Sequence, residues 1–349
     1  MCVGLVAALT LLEVVAHVAE RARLASARGY IENLPAKTPK SLYYWTRMGK
    51  RTVPDLDVML VDHPVSRRNI RVRTNDLGLR GAPVPPRESE ELRVLVLGDS
   101  VTFADQVEEG ETFVVGVESG LRSRRGARPV RVLNAGGPSL GTLDQAAWLG
   151  ELAPALRPDV VVLGFYLNDS AGQVRYPDVL RIPGWWPWRY SAEWAAARWA
   201  QIRHRSVLAE RYRWVHEFLE RRWVDDEPAY HRLVALASED WGAAWREESW
   251  PVVEQGLRHM QALGDRHGFR LVVAVLPVSV QAESRVNDDR PQRHARALTD
   301  QLGVPSVDLL PALRGAPSSL FYDQCHLRPA GHARVAERLT AFLAELPPP

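Results

Sequence analysis

The residues best suited to covalent chemistry are a serine behind a short apolar run and an acid–histidine pair near the end of the chain. Ser100 follows Arg-Val-Leu-Val-Leu-Gly-Asp (residues 93–99), and Asp323 precedes His326 by three positions. A serine hydroxyl is a weak nucleophile unless a base removes its proton, and that base works best when a third group fixes its tautomer. Asp323 can bond one ring nitrogen of His326 and leave the other facing outward. These residue types therefore predict acyl transfer through a covalent serine intermediate.

Each of these residues also has a purely structural interpretation. Gly-Asp-Ser is common in turns, and Asp323 could cap the helix that follows it. The catalytic interpretation depends on whether other loops supply hydrogen-bond donors for an oxyanion.

Two loops offer such donors. Asn168 follows the apolar run that ends at Phe165, and its amide would project beside Ser100 if the two strands are neighbours. The glycine-rich loop at residues 134–141 could bring a backbone N–H to the same point. Neither the Rossmann glycine spacing nor a Gly-Lys-Ser/Thr phosphate loop occurs in the chain. The sequence therefore argues against nucleotide binding and predicts no cofactor.

The elements that must position these residues alternate between strand-like and helical patterns from residue 92 onward. Such alternation predicts a parallel sheet covered on both faces, and right-handed crossovers favour a three-layer α/β/α sandwich. The sheet would have five strands, mainly parallel. The predicted strands are Leu92–Leu97, Val130–Leu133, Val160–Phe165, Leu271–Leu276 and Val304–Val307.

Residues 1–28 contain an apolar run, Cys2–Val18, that Glu13 and His17 interrupt. It is at the short limit for a membrane span. A single anchor, an amphipathic helix on a membrane and a helix docked on the domain are all compatible with it, and the anchor is favoured. Basic residues follow the run, which by the positive-inside rule would place the domain in the cytoplasm.

Two further regions differ from the alternating pattern. Residues 29–90, the lead-in, are rich in Pro and Arg and are predicted to be β-rich, with a linker before residue 91. An insertion at about residues 175–240 contains many tryptophans among arginines. It is either a helical subdomain with arginines stacked on a tryptophan core or a lid beside the site. The hydrolase-like domain would thus span residues 91–349.

Composition excludes several classes of function. The chain has 349 residues with 44 basic and 42 acidic side chains, a net charge of +2 that gives no argument for nucleic acid. Its two cysteines lie at opposite ends and indicate no disulfide framework. The ten histidines are scattered, and no spacing matches a zinc site. No metal is therefore predicted.

Taken together, four of these stretches resemble the blocks of the SGNH/GDSL hydrolase family. They are Gly98-Asp99-Ser100, residues 134–141, Asn168-Asp169 and Asp323-Gln324-Cys325-His326. The resemblance implies a flavodoxin-like sandwich. Ser100 would be the nucleophile, His326 the base and Asp323 its orienting acid. The oxyanion hole would be formed by the backbone N–H groups of Ser100 and Ser139 and by the side chain of Asn168.

The run at residues 73–81 resembles the lead-in of membrane-anchored bacterial members, which favours an extracytoplasmic catalytic domain behind a single N-terminal span. Two positions depart from the family pattern, because Ser139 and Ala104 stand where a glycine is usual. A loop conformation that needs glycine would put the role of Ser139 in doubt.

The favoured function is a serine esterase that removes an acetyl or other short acyl group from a carbohydrate or small molecule. An O-acyltransferase would use the same triad, with a sugar hydroxyl in place of water. A lipase that binds a membrane surface through the insertion, and a non-catalytic binding protein on the same fold, are the other hypotheses.

Overall fold

A five-stranded parallel sheet forms the centre of the protein. The computed structural model describes residues 8, 10–15, 18, 31–32, 42–46, 49–126, 128–171, 211–315 and 320–347. The strands, in chain order, are β1 (Ile31–Glu32), β2 (Tyr43–Thr46), β3 (Gly49–Thr52), β4 (Asp57–Leu60), β5 (Ile70–Arg73), β6 (Leu92–Gly98), β7 (Val130–Gly136), β8 (Val160–Tyr166), β9 (Arg270–Leu276) and β10 (Ser306–Asp308).

Helices connect these strands. They are α1 (Ser100–Phe103), α2 (Phe113–Arg125), α3 (Thr142–Leu156), α4 (Val215–Glu220), α5 (Glu227–Leu236), α6 (Trp250–His267), α7 (Ser279–Glu283), α8 (Arg290–Leu302), α9 (Leu310–Leu313) and α10 (Pro329–Glu345). Short 3₁₀ helices lie at Glu109–Glu111, Leu167–Ser170, Arg222–Val224, Trp241–Trp245 and Glu247–Ser249.

The strand order of the central sheet is β7-β6-β8-β9-β10, and every neighbouring pair is parallel. This is the flavodoxin-like order, in which the first and third strands are neighbours at the switch point where such sheets bind ligands. Helix α2 packs against α10, and α3 packs against α6. With right-handed crossovers these two pairs cover opposite faces of the sheet. The predicted three-layer α/β/α sandwich is therefore confirmed.

Three glycines lie in register near the carboxyl ends of the adjacent strands β7, β6 and β8. Gly98 is in register with Gly136 on one side and with Gly164 on the other. A Cβ atom at Gly136 would lie 2.2 Å from the backbone nitrogen of Phe103, and one at Gly98 would lie 2.1 Å from Thr102 Oγ1. Because these side chains are missing, α1 can lie directly across the strand ends.

The lead-in forms small antiparallel sheets beside the main one. Strands β1, β4 and β5 make one sheet, and β2 and β3 make a hairpin. Their apolar side chains form a hydrophobic cluster separate from that of the central sheet. The members of this cluster are Leu42, Val53, Leu56, Val58, Leu60, Ile70, Val72 and, from helix α1, Phe103. The lead-in therefore packs on the segment that carries Ser100.

The described part of the insertion packs as an extension of the main core. Trp214, Trp223 and Trp241 are buried and belong to the same hydrophobic cluster as the sheet. The rings of Trp214 and Trp241 meet edge to face with centroids 5.7 Å apart. The Arg221 guanidinium lies 5.2 Å from the centre of the Trp223 ring. Residues 172–210, including the tryptophans from Trp185 to Trp199, lie outside the described residues.

The N-terminal prediction requires a correction. Residues 10–15 are helical and include the charged Glu13, whereas a span needs about 20 mostly apolar residues. In the part of the chain that the structure describes, no helix combines the length and the apolar character needed to cross a membrane. The predicted location behind a single N-terminal span is therefore wrong, and the described residues give no support for the membrane as a partner. The rest of the predicted anchor at residues 1–28 lies outside the described residues.

Candidate active site

Ser100 is the first residue of α1, directly beyond the carboxyl end of β6. Asp99 caps this helix, because its side-chain oxygen accepts a hydrogen bond from the Val101 N–H at 2.8 Å. Asp99 directly follows Gly98, the last residue of β6, so no residue separates the cap from the sheet. The position of the Ser100 hydroxyl is thus set by the strand end and the cap together.

The structure brings Ser100, His326 and Asp323 together across more than 220 residues of sequence. His326 Nε2 lies 3.1 Å from Ser100 Oγ, and His326 Nδ1 lies 2.7 Å from Asp323 Oδ2. The other oxygen of Asp323 accepts the backbone N–H groups of Cys325 at 2.9 Å and of His326 at 2.8 Å. Both carboxylate oxygens are therefore held, so the imidazole ring has a fixed orientation.

His326 and Asp323 each shift the pKa of the other. Burial of His326 favours its neutral form, but the hydrogen bond and the negative charge of Asp323 outweigh burial and raise the pKa of His326 above its ordinary value. Burial of Asp323 acts against its charge as well. Hydrogen bonds from His326 and from backbone N–H groups, together with the charge of His326, outweigh it and lower the pKa of Asp323. At neutral pH Asp323 is a carboxylate that faces Nδ1.

The two predicted oxyanion loops follow the strands on either side of β6. Ser139 is three residues beyond the end of β7, and Asn168 lies in the 3₁₀ turn that follows β8. The buried side chain of Gln145 joins these loops, since its Nε2 donates to the Leu140 carbonyl at 2.9 Å and to Asp169 Oδ2 at 3.2 Å. Both loops thus lie at the strand-end edge that carries Ser100.

The two positions that lack the usual glycine both have left-handed backbone. Ser139 has φ of 58° and Ala104 has φ of 58°. A hydrogen bond of 3.1 Å from the Leu140 N–H to the Gly137 carbonyl closes a turn around Ser139. A positive φ strains residues that have a Cβ. The loop therefore keeps the glycine-like conformation with serine in place, at a cost in stability.

This strain predicts the effect of restoring glycine. Ser139→Gly should raise the free energy of unfolding by about 0.5–1 kcal/mol, because relief of left-handed strain exceeds the added entropy of the unfolded chain. Ser139→Val should lower it by about 1–2 kcal/mol, because β-branched side chains tolerate this conformation poorly. Urea unfolding measures both. Ser123→Gly, an exposed helical position, is the matched control and should be destabilising. Equal destabilisation by Ser139→Gly and Ser123→Gly would contradict the strain argument.

Two buried acids flank the catalytic groups. Burial raises the pKa of Asp99 to about 6, although the Val101 N–H bond opposes the rise. Burial, with the charge of Asp99, raises the pKa of Asp169 well above its ordinary range. Both are residues of the motif blocks. Asp99 accepts a hydrogen bond from the Val101 N–H, and Asp169 accepts one from the Gln145 side chain. We assign them structural roles at the strand ends.

Sequence reasoning missed two residues that hold α1. The Asn134 side chain donates to the Thr102 carbonyl at 2.9 Å and accepts the Gly136 N–H at 2.9 Å. The Arg80 guanidinium donates to carbonyls at the end of α1. Asn134 begins a motif block, which was a usable signal. Arg80 follows a short turn and forms isolated β-bridges with Thr74 and Asn134, and an arginine in such a segment is ordinarily exposed.

Among the described residues, Asp323, Cys325 and His326 could in principle surround a metal ion. His326 Nδ1, however, is already bonded to Asp323. Burial raises the pKa of the Cys325 thiol well above its ordinary value, which disfavours the thiolate that binds metals. The chemistry of this group favours hydrogen bonding over metal binding.

Comparisons with known proteins find distant structural similarity alone. No family model and no curated protein matches the chain. A structure described as a lipolytic protein of the G-D-S-L family, from Desulfitobacterium hafniense DCB-2, is 12% identical with a TM-score of 0.39, over 72% of this chain and 99% of that one. TesA is 16% identical with a TM-score of 0.42, over 72% and 97%. A catalytic mutant of Axe2, an acetylxylan esterase from Geobacillus stearothermophilus, is 16% identical with a TM-score of 0.41, over 72% and 93%. Similarity at this level assigns no activity to this chain.

Proposed function

We propose that this protein is a serine esterase of the SGNH/GDSL type. The observation that carries the proposal is the continuous hydrogen-bonded path from Ser100 Oγ through His326 to Asp323, at 3.1 and 2.7 Å. Asp323 holds the proton of the ring on Nδ1, which leaves Nε2 free to accept one from Ser100. This is the arrangement that activates a serine hydroxyl.

The acylation step follows from this geometry. Ser100 Oγ attacks the carbonyl carbon of an ester while its proton moves to His326 Nε2. The alcohol leaves with that proton as the carbon–oxygen bond breaks, and the acyl group stays on Ser100. A water molecule then attacks the acyl carbon, His326 takes the water proton, and the carboxylic acid leaves as Ser100 regains its hydrogen.

We propose that the oxyanion formed in each step is bound by three donors. They are the backbone N–H groups of Ser100 and Ser139 and the side-chain amide of Asn168, which stand at the ends of three adjacent strands. Removal of one such donor typically costs about 10²–10³-fold in kcat. The bridge that Gln145 makes between the two neighbouring loops supports this assignment.

The proposed substrate is an acetyl or short-chain ester of a carbohydrate or small molecule. A panel of acetyl, butyryl and long-chain esters, with acetylated glycans, tests the acyl length and the alcohol. Adding an unacylated sugar to the assay separates hydrolysis from transfer. Movement of the acyl group to that sugar instead of to water would make the protein an acyltransferase.

A fluorophosphonate probe tests the proposed nucleophile directly. The folded protein should gain one covalent label, and peptide mass spectrometry should find it on Ser100, because only a serine with an activated hydroxyl reacts with the probe. The heat-denatured protein is the control and should remain unlabelled. Folded protein that takes up no label at Ser100 would refute the proposed function.

A further inference from the structure

Arg80 is a buried cation that the lead-in places beneath the helix of the nucleophile. Its side chain and backbone are only 5% exposed. The Arg80 N–H donates to the Asn134 carbonyl at 3.0 Å, which fixes its backbone to the end of β7. The residue thus belongs to the lead-in by sequence and to the strand-end edge by position.

The guanidinium of Arg80 holds the end of α1 and the turn behind it. Nη1 donates to the carbonyls of Phe103 and Ala104, and Nη2 donates to the Val107 carbonyl at 2.6 Å. The last carbonyls of a helix have no partners within the helix, and their partial negative charge favours a cation. The Ala104 N–H in turn donates to the Ser100 carbonyl at 2.8 Å. Two hydrogen bonds therefore connect Arg80 to Ser100.

Packing supports the same contact. Phe103 is fully buried in the hydrophobic cluster of the lead-in, and the Arg80 guanidinium lies 5.6 Å from the centre of its ring. Phe103 ends the four-residue helix that Ser100 begins. Helix α1 is thus held in two ways. The hydrophobic cluster of the lead-in packs around the Phe103 side chain, and Arg80 donates hydrogen bonds to the carbonyls of Phe103 and Ala104.

The charge of Arg80 has no hydrogen-bonded carboxylate partner among the described residues. Burial lowers its pKa to about 10, opposed by the charges of Asp105 and Glu109. A buried charge is costly unless hydrogen bonds compensate it. Stability alone would be served as well by an apolar side chain, so the hydrogen bonds to three backbone carbonyls, of Phe103, Ala104 and Val107, indicate a positional role.

Other contacts between the lead-in and this segment are weaker. Arg68 forms a two-bond ion pair with Glu111 at 2.9 and 3.0 Å, and Arg73 pairs with Glu109 at 3.0 Å. These side chains are partly exposed, and such pairs contribute about 0–1 kcal/mol. The contacts at Arg80 and Phe103, by comparison, are buried.

We propose that Arg80 is a positioning residue for Ser100, through which the lead-in sets the distance between the nucleophile and His326. The inference rests on the proposed esterase function. Without the guanidinium, α1 can shift on the strand ends, and a displacement of about 1 Å at a reacting atom can cost about 10²-fold in rate. Arg80 itself does not touch the substrate.

The test compares Arg80→Lys with Arg93→Lys. Arg93 is the matched control, because it is a buried arginine at the opposite end of β6 whose Nη1 donates to the Leu156 carbonyl at 3.0 Å. Lysine keeps the charge in both sites but cannot hold several carbonyls. For Arg80→Lys, kcat and the rate of fluorophosphonate labelling should fall by about 10–100-fold, with KM within about two-fold. For Arg93→Lys, both rates should stay within about two-fold of wild type, whatever its loss of thermal stability.

The outcomes separate this inference from the proposed function. Wild-type protein that is not labelled at Ser100 refutes the esterase itself. Labelled wild type, with Arg80→Lys as fast as wild type or no slower than Arg93→Lys, refutes the role of Arg80. Should Arg80→Lys not fold, Phe103→Leu replaces it, with Ile70→Val in the same cluster as its control. A selective loss of kcat in Phe103→Leu supports the inference, and equal rates in the two variants refute it.

Discussion

Ser100→Ala should lower kcat for ester hydrolysis by about 10⁶-fold and leave the fold intact. The hydroxyl is the only group of the triad that bonds to the acyl carbon in the proposed mechanism, so no covalent intermediate can form without it. His326 would keep its bond to Asp323, and the side chain of residue 100 does not contribute to the cap that Asp99 provides. Initial rates with the best ester of the panel measure the effect, and circular dichroism checks the fold.

A second serine provides the control for this substitution. Ser119 is exposed on α2, and its Oγ donates to the Val115 carbonyl one turn earlier at 3.1 Å. Ser119→Ala should retain kcat within about two-fold, because surface changes of this kind rarely exceed about 0.5 kcal/mol. Residual activity of Ser100→Ala above about 1% of wild type, in preparations free of other esterases, would contradict a serine nucleophile at this position.

Much of the fold could be predicted because its signals are local. An apolar run such as Val160–Phe165 is buried on both faces, and that burial is what the sequence pattern records. The last strand was harder. Val304–Val307 was predicted, whereas the strand is Ser306–Asp308. The Val304 N–H instead donates to the Thr299 carbonyl at the end of α8, at 2.9 Å. Val304 is therefore bonded to the helix end, and the strand begins only at Ser306.

The candidate site likewise contains some residues that the sequence could predict and others that it could not. Ser100, Asp323 and His326 could be singled out because their residue types and spacing carry chemistry. The roles of Arg80 and Gln145 could not, because these side chains donate to backbone carbonyls of other segments and a carbonyl has no sequence signature. Asn134 begins a motif block, but its bond to the Thr102 carbonyl could not be predicted for the same reason. The apolar run at the N-terminus misled for a different reason, since it is at the short limit for a span and hydropathy alone does not establish a helix of the length that a span needs.

Asp323→Asn should lower kcat by about 10⁴-fold, although it is nearly isosteric. The reason lies in the two backbone N–H groups, of Cys325 and His326, that donate to Oδ1. An asparagine would place its carbonyl oxygen at the position of Oδ1, because an NH₂ group cannot accept hydrogen bonds from these two N–H groups. Its NH₂ would then face Nδ1 of His326 and force the ring proton onto Nε2. In that tautomer His326 presents a donor to Ser100 Oγ and cannot take its proton.

The same variant should change the pH dependence of the reaction. The rate requires neutral His326, so kcat/KM rises with pH through the pKa of this residue. Because the Asp323 charge and hydrogen bond raise that pKa, their loss lowers it. The acidic limb of the profile should therefore move to lower pH while the plateau falls. A residue that merely stabilised the loop would lower the plateau without moving the limb.

Asp308→Asn is the control that isolates this effect. Asp308 ends β10, is partly buried, and accepts the Leu310 N–H on Oδ1 at 2.9 Å, so the substitution and the local bonding are alike. It lies on the edge strand, away from β6, and its variant should keep both kcat and the acidic limb. Should Asp323→Asn retain more than about a tenth of wild-type kcat with an unmoved limb, another group must orient His326. Asp323 Oδ2 is the only described carboxylate oxygen within hydrogen-bonding distance of Nδ1, and the tautomer argument assigns the orientation of the ring to it alone. That result would therefore refute the argument.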